Sequence, residues 1–278
     1  MLPPAVHRLI ELALEEDLGR GDVTSEALIP PDLPARGMVL VKAPGVLAGL
    51  AVMAAVFHAV DPALRWAPQA QDGDVVSPGQ VVAVVQGRAR AILAAERPAL
   101  NFLQRLSGIA TCTAQYVEAL HGTRARLTDT RKTTPGWRWL EKMAVRCGGG
   151  YNHRLDMAGG VLIKDNHLAL SHNDIHGAVR AARAYAPHTV RVEIEVTDLA
   201  GLEAALSAGA DIILLDNMPL AEMRRAVESV AGRALLEASG GITLETLHAV
   251  ATTGVDLISS GAITHSARAL DISLEIEG

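Results

Sequence analysis

Three strings place cations beside turn-forming residues: Asp129-Thr130-Arg131-Lys132, Asn152-His153-Arg154 and Ile163-Lys164-Asp165. Arginine forks suit carboxylates and phosphates in two-point contacts. Arg131, Arg154 and Lys164 gathered at one spot would repel one another unless an anion were supplied. Two groups of carboxylates follow. Glu193 and Glu195 stand two apart in RVEIEV and so share one face of a strand. Asp216 ends the apolar run IILLD one unit later. Carboxylates at such a place must be hydrated, paired with cations, or bound to a metal or sugar hydroxyls. An internal salt bridge from Lys132 or Lys164 is the plainer alternative. Near the C-terminus, Ser239-Gly240-Gly241 and Ser260-Gly261 each follow an apolar run, where glycine lets backbone N–H groups approach a phosphate.

Other reactive residues carry weaker signals. His172 and His176 are four apart but lack a third ligand at suitable spacing, so they do not read as a metal site. Cys147 beside Gly148-Gly149-Gly150 reads as small-residue packing rather than a nucleophile. Arg20-Gly21-Asp22 reads as a turn in which Asp22 or Thr24 caps the next segment. Arg105, Arg124 and Arg146 read as solvated helical-face residues.

The elements that must position these groups follow from spacing. Residues 6–16 have helical periodicity, 36–49 and 73–87 look like β segments, and GDVVSPGQVVAVVQG reads as a structural hairpin. A long helix is expected over roughly 98–120, followed by β-rich runs at Arg126–Thr130, Val161–Ile163, Val192–Val196, Ile212–Leu215, Ala234–Glu237 and Leu257–Ser259. The last four begin about 20 to 23 residues apart with Ala/Leu-rich helical stretches between them, the mark of parallel βαβ units and of a (β/α) barrel. Such barrels do their chemistry at the C-terminal ends of the strands, where the charged strings fall.

Composition excludes several function classes. The 278 residues are 49% hydrophobic and carry a net charge of −6, with a mean hydropathy of +0.22, so the chain is not disordered. Aromatics are only 3%, which leaves few stacking platforms for bases, and the acidic balance argues against nucleic acid. Residues 88–164 nevertheless hold thirteen Lys/Arg against five Asp/Glu, a local excess of +8 that suits a small anionic ligand. The longest apolar run, Val46 to Phe57, is too short to span a bilayer. The N-terminus lacks a signal-peptide pattern, and two cysteines without a CxxC suggest a reducing compartment, so a cytoplasmic protein is expected.

The strings ERPALNFLQRLSGIAT, DTRKTTPGWR, GGGYNHR, LIKDNH, EIEV, ILLDN, SGGI and SSGAITHS, with EEDLGRGDVTSEALIP before them, run in order over nearly the whole chain. Together they resemble the quinolinate phosphoribosyltransferase family, also called nicotinate-nucleotide pyrophosphorylase (carboxylating). The resemblance implies an α/β fold: an N-terminal α/β sandwich-like domain over 1–100, joined by 265–278, and an open, seven-stranded α/β barrel over 101–264. It implies transfer of phosphoribose from phosphoribosyl pyrophosphate (PRPP) to quinolinate with Mg²⁺ as cofactor, giving nicotinate mononucleotide, pyrophosphate and CO₂ in NAD synthesis. It further implies a homodimer or higher homo-oligomer.

Carried over by motif, Arg131, His153, Arg154 and Lys164 would hold the quinolinate carboxylates, and Arg97 would reach in from a partner subunit. Lys132, Glu195 and Asp216 would be catalytic, with Glu195 and Asp216 also near Mg²⁺, directly or through water. Ser239, Gly240, Ser260 and Gly261 would cradle the 5′-phosphate. Trp137, Met157-Ala158-Gly159 and Pro98 depart from the family's usual residues without removing a charged site group. The LIKDNH string counts against a paralogous group tied to molybdenum transport. A Schiff-base lyase using Lys164 and a non-catalytic nucleotide-binding barrel are the rival readings.

Overall fold

The computed structural model describes residues 2–277. In chain order the strands are β1 (Pro34–Val41), β2 (Gly45–Val46), β3 (Arg65–Pro68), β4 (Val75–Val76), β5 (Val81–Arg88), β6 (Arg126–Thr128), β7 (Val161–Ile163), β8 (Val192–Val196), β9 (Ile212–Asp216), β10 (Leu235–Ser239), β11 (Leu257–Ser259) and β12 (Ile272–Glu277). They belong to two compact units. One takes the chain up to Ala114, Thr133–Gly149 and the segment from Ile263 onward; the other takes Gln115–Lys132 and Gly150–Ala262. Residue 100, where the sequence reading put the boundary, lies inside helix Ala89–Ala119.

The first unit is built on an antiparallel sheet of order β12-β1-β5-β3. Along β1 burial alternates so that Val39 and Val41 enter the core, the period-2 pattern of a half-buried strand. Helix Leu50–Val60 contributes Val52, Met53, Val56 and Phe57, all fully buried, and Phe57 stacks on Trp66 of β3 at 5.7 Å. Each such side chain stabilises the unit by about 1.5–3 kcal/mol. The Arg20-Gly21-Asp22 turn does what the sequence suggested: the Asp22 carboxylate accepts the Ser25 N–H and caps helix Val23–Leu28.

Two expectations need correction here. Residues 73–87 do not form a hairpin, because β4 pairs with β2 while β5 lies between β1 and β3. Both edges of β5 are thereby used, and a turn at Ser77–Gln80 sends the chain from one sheet to the other. The long helix begins at Ala89 rather than near 98 and runs for 31 residues through Pro98. Proline usually marks a helix start because it lacks an N–H, and here tertiary packing overrides that signal. Arg105 on this helix is also not a solvated face residue. It donates to the Ala267 and Thr264 carbonyls and lies 3.5 Å from the buried Glu141.

The second unit is a parallel sheet of order β6-β11-β10-β9-β8-β7 with helices between successive strands. A seventh position beside β6 is filled only by Tyr151, in an isolated parallel bridge to Thr128. The seven-stranded open barrel is thus six strands and one bridged residue. Recurrent caps set the helix starts: Asp174 accepts from Gly177 N at 2.8 Å and Asp198 from Gly201 N at 2.7 Å. Asp211 and Asp256, each just before a strand, reach to a neighbouring strand and accept the N–H groups of Val192 and Leu236. Val192, Ile194 and Val196 bury one face of β8, leaving Glu193 and Glu195 on the other.

Candidate active site

The C-terminal strand ends of the second unit enclose a cavity of about 630 Å³. Its wall includes Arg131 and Lys132 after β6, His153 and Arg154 beyond the Tyr151 bridge, and Lys164 after β7. Glu195 of β8, Asp216 of β9 and Ser239-Gly240-Gly241 after β10 complete it. The cations come together as the sequence suggested.

Each group is set by its local fold. The buried Asp129 carboxylate accepts from Asn152 Nδ2 at 2.7 Å and from His153 N at 2.8 Å, joining the loop after β6 to the Asn152-His153-Arg154 string. Arg154 Nη1 donates to the Gly160 carbonyl, whereas its buried Nε finds no partner. Burial, and then the charge of Arg131, pull Arg154 below the ordinary arginine range. A guanidinium whose charge is disfavoured by burial and by a neighbouring arginine, and whose Nε–H is unsatisfied, suits an anion. Lys164 opens helix Asp165–Leu170, where its N–H donates to His167 Nδ1. Its ammonium is 2.6 Å from Glu195 Oε2, the internal pairing that the sequence left open. Asp216 Oδ2 accepts from Asn217 Nδ2 at 3.0 Å.

At the far end of the wall, Gly240 has φ +95°, and a Cβ there would lie 2.3 Å from Asn217 Oδ1. The turn therefore keeps its backbone bare, as a phosphate cradle requires. Ser239 and Ser259 line the cavity, but Ser260 and Gly261 are not among its lining residues. The Ser260 hydroxyl instead donates to the Ile242 carbonyl. Arg97 stands in the first unit with its side chain 61% exposed, beside a smaller cavity of about 280 Å³ lined also by Leu12, Asp17 and Trp137. Trp137, a departure from the usual pattern, stacks on Phe102 at 4.7 Å.

Sequence reasoning named Glu193 but missed Glu237 and the buried floor that the two form. Glu237 of β10 and Glu193 of β8 are buried, 1% and 4% exposed, and both approach His153 Nε2, at 3.8 and 3.0 Å. The signal was present as a glutamate inside each of the apolar runs LLEAS and VEIEV. Burial and then the negative charge of Glu193 push Glu237 up to about 7. Among the described residues this trio is also the group of His and carboxylate side chains close enough to hold a metal. The histidine argues against that use: its Nδ1 accepts the Arg154 N–H at 2.8 Å, so Nε2 carries the ring proton and turns it toward Glu193.

The remaining candidates fall away. Cys147 is held up to about 11 by burial and then by Asp72, so its thiol stays protonated and inert. His172 precedes helix Ile175–Tyr185 and His176 lies on it, facing Ser207 Oγ at 3.3 Å.

Comparison with known proteins decides the family. Sequence profiles of the quinolinate phosphoribosyl transferase N-terminal and C-terminal domains match residues 22–107 and 109–275. The chain belongs to the quinolinate phosphoribosyl transferase family. A Bacillus subtilis family member, a probable nicotinate-nucleotide pyrophosphorylase (carboxylating), is 43% identical over 94% of this chain and 90% of its own length. Its Mycobacterium leprae counterpart is 44% identical over 98% of this chain and 97% of its own. NadC from Streptococcus pyogenes superposes with a TM-score of 0.94 at 42% identity, covering 100% of this chain and 97% of that one. No helix among the described residues is long and apolar enough to cross a membrane.

Proposed function

We propose that this chain transfers the phosphoribosyl group of PRPP to quinolinate, releasing pyrophosphate and CO₂ and leaving nicotinate mononucleotide for NAD synthesis. The observation that carries this reading is the composition of one cavity. Arg131, Lys132, Arg154 and Lys164 share its wall with Glu195, Asp216 and the Ser239-Gly240 turn. That set matches a dicarboxylate at one end, a ribose in the middle and a phosphate at the other.

Arg131 and Arg154 grip the two carboxylates of the pyridine, with His153 beside them. Lys164 exchanges its pairing with Glu195 for the substrate, which frees Glu195 to face the ribose. Glu195 and Asp216 then stabilise the positive charge that grows on the ribose as its bond to pyrophosphate lengthens, while Lys132 faces the departing pyrophosphate. Ser239 and Gly240, with Ser260 and Gly261 behind them, belong to the 5′-phosphate end. The oxygen donors of Glu195 and Asp216 fit a hard cation such as Mg²⁺, directly or through water. Bound there, the ion would neutralise charge on the leaving group. Holding two anions in register contributes up to about 7–11 kcal/mol to the rate.

Arg97 acts across a homodimer interface, in the active site of the partner subunit. A cytoplasmic address fits the unpaired Cys112 and Cys147. Mixing the purified protein with quinolinate, PRPP and Mg²⁺ tests the central reading. Nicotinate mononucleotide and pyrophosphate should appear together. No product, or product only with nicotinate as acceptor, sinks it. A Schiff-base reading fares worse, because Lys164 is engaged with Glu195 rather than presented to a carbonyl.

A further inference from the structure

Loss of CO₂ from the quinolinate ring leaves an electron pair on a ring carbon, and that carbon must gain a proton. We infer that Glu237 is the acid that supplies it. This inference rests on the reading of the cavity as a quinolinate site.

Geometry selects Glu237 from the wall. It lines the floor of the site cavity, it is 1% exposed, and its Oε1 is buried without a hydrogen-bond partner. The groups facing it are Glu193 and His153 from the same floor, Asp129 behind them, and the Ser259 hydroxyl, which hydrogen-bonds to it. His153 turns its one ring proton to Glu193 Oε2 at 3.0 Å, so Glu193 has a ring N–H donor that Glu237, at 3.8 Å, lacks. A second bare carboxylate in this space would be desolvated beside the negative Glu193 with only the Ser259 hydroxyl donating to it, and Glu237 keeps its proton instead. The other named acids of the wall, Glu195 and Asp216, accept hydrogen bonds from Lys164 and Asn217.

Glu237 also lines a second cavity of about 470 Å³ on the opposite side, together with Arg126, Tyr151 and Arg191. The residue therefore borders both the reaction chamber and a second cavity.

The step balances as follows. The bond between ring C2 and its carboxylate breaks reversibly, the electron pair staying on C2 beside the positively charged pyridinium nitrogen, and CO₂ escapes for good only once a proton has captured that carbon. The O–H bond of Glu237 breaks as its proton forms the new C2–H bond, leaving Glu237 as a carboxylate. Water in the second cavity returns a proton before the next turnover.

The test separates the two halves of the reaction in Glu237→Gln, which keeps size and removes the acid. Pyrophosphate and CO₂ are followed in parallel, with quinolinate labelled in its 2-carboxylate. The wild-type protein should release both at equal rates. In the variant CO₂ should lag pyrophosphate by about 10²-fold, and a mononucleotide still carrying both carboxylates should accumulate. Equal release of the two products in the variant, at whatever speed, overturns the inference. Failure of the wild-type protein to release pyrophosphate with quinolinate would instead overturn the underlying reading. Should Glu237→Gln not fold, Glu237→Asp keeps the acid but draws it back by one methylene. It should show the same lag in weaker form, and equal release would count against the inference.

Discussion

At the residue scale the informative groups are those whose burial conflicts with their charge. Glu237 holds its proton up to about pH 7 against an ordinary 4.5, chiefly because burial penalises the carboxylate. Between those values the native protein keeps a proton that the unfolded chain has lost. The associated stability is full below about 4.5 and disappears as pH rises through about 7. Thermal melts across this window should fall with pH in the wild-type protein and fall less steeply in Glu237→Gln; parallel curves would refute the assignment. The cationic strings were legible because arginine and lysine after apolar runs have few structural uses. Glu193 and Glu237 were not, since a sequence shows a carboxylate but not whether water reaches it. Ser260 shows what spacing leaves open: its place after a strand suggested a phosphate contact, and here its hydroxyl donates to the Ile242 carbonyl.

At the element scale the strand ends of the second unit were readable almost to the residue, because parallel βαβ units repeat at a fixed spacing and end in polar side chains. Partner choice was not readable. Alternation marked β4 and β5 as strands, but nothing local says that β5 lies between β1 and β3 while β4 joins β2. Nor does a one-residue bridge at Tyr151 leave a periodic trace. Registration inside the sheet leans on aspartates at the strand starts. Asp256 holds the N–H of Leu236 at 2.9 Å and also pairs with the exposed Arg124. Asp256→Ala should lower stability by about 1–3 kcal/mol through the unpaired N–H, whereas Arg124→Ala should cost less than about 1 kcal/mol. Denaturant titrations of both variants check this, and equal losses would refute it.

At the scale of the whole molecule, the local basic excess within an acidic chain would, on the proposed reading, serve as an electrostatic funnel for small anions. Arg97 lies outside the unit that holds the site cavity, with most of its side chain in solvent. If it completes a neighbouring subunit's site, Arg97→Ala and Lys132→Ala should each be inactive alone. Mixed together they should regain about a quarter of wild-type turnover, the share expected for heterodimers with one intact site. Persistent inactivity of the mixture would place each site within one chain.

The gap in the barrel bears on this grip. Tyr151 and β7 stand at the two ends of the strand order, and no ladder ties one to the other among the described residues. Arg131 follows β6 on one side of that gap and Lys164 follows β7 on the other. On the proposed reading, a dianion touching both would act as a clasp, supplying the cross-link that the backbone lacks. The ligand is then a piece of the scaffold while it stays, and its departure as a monocarboxylate undoes the fastening.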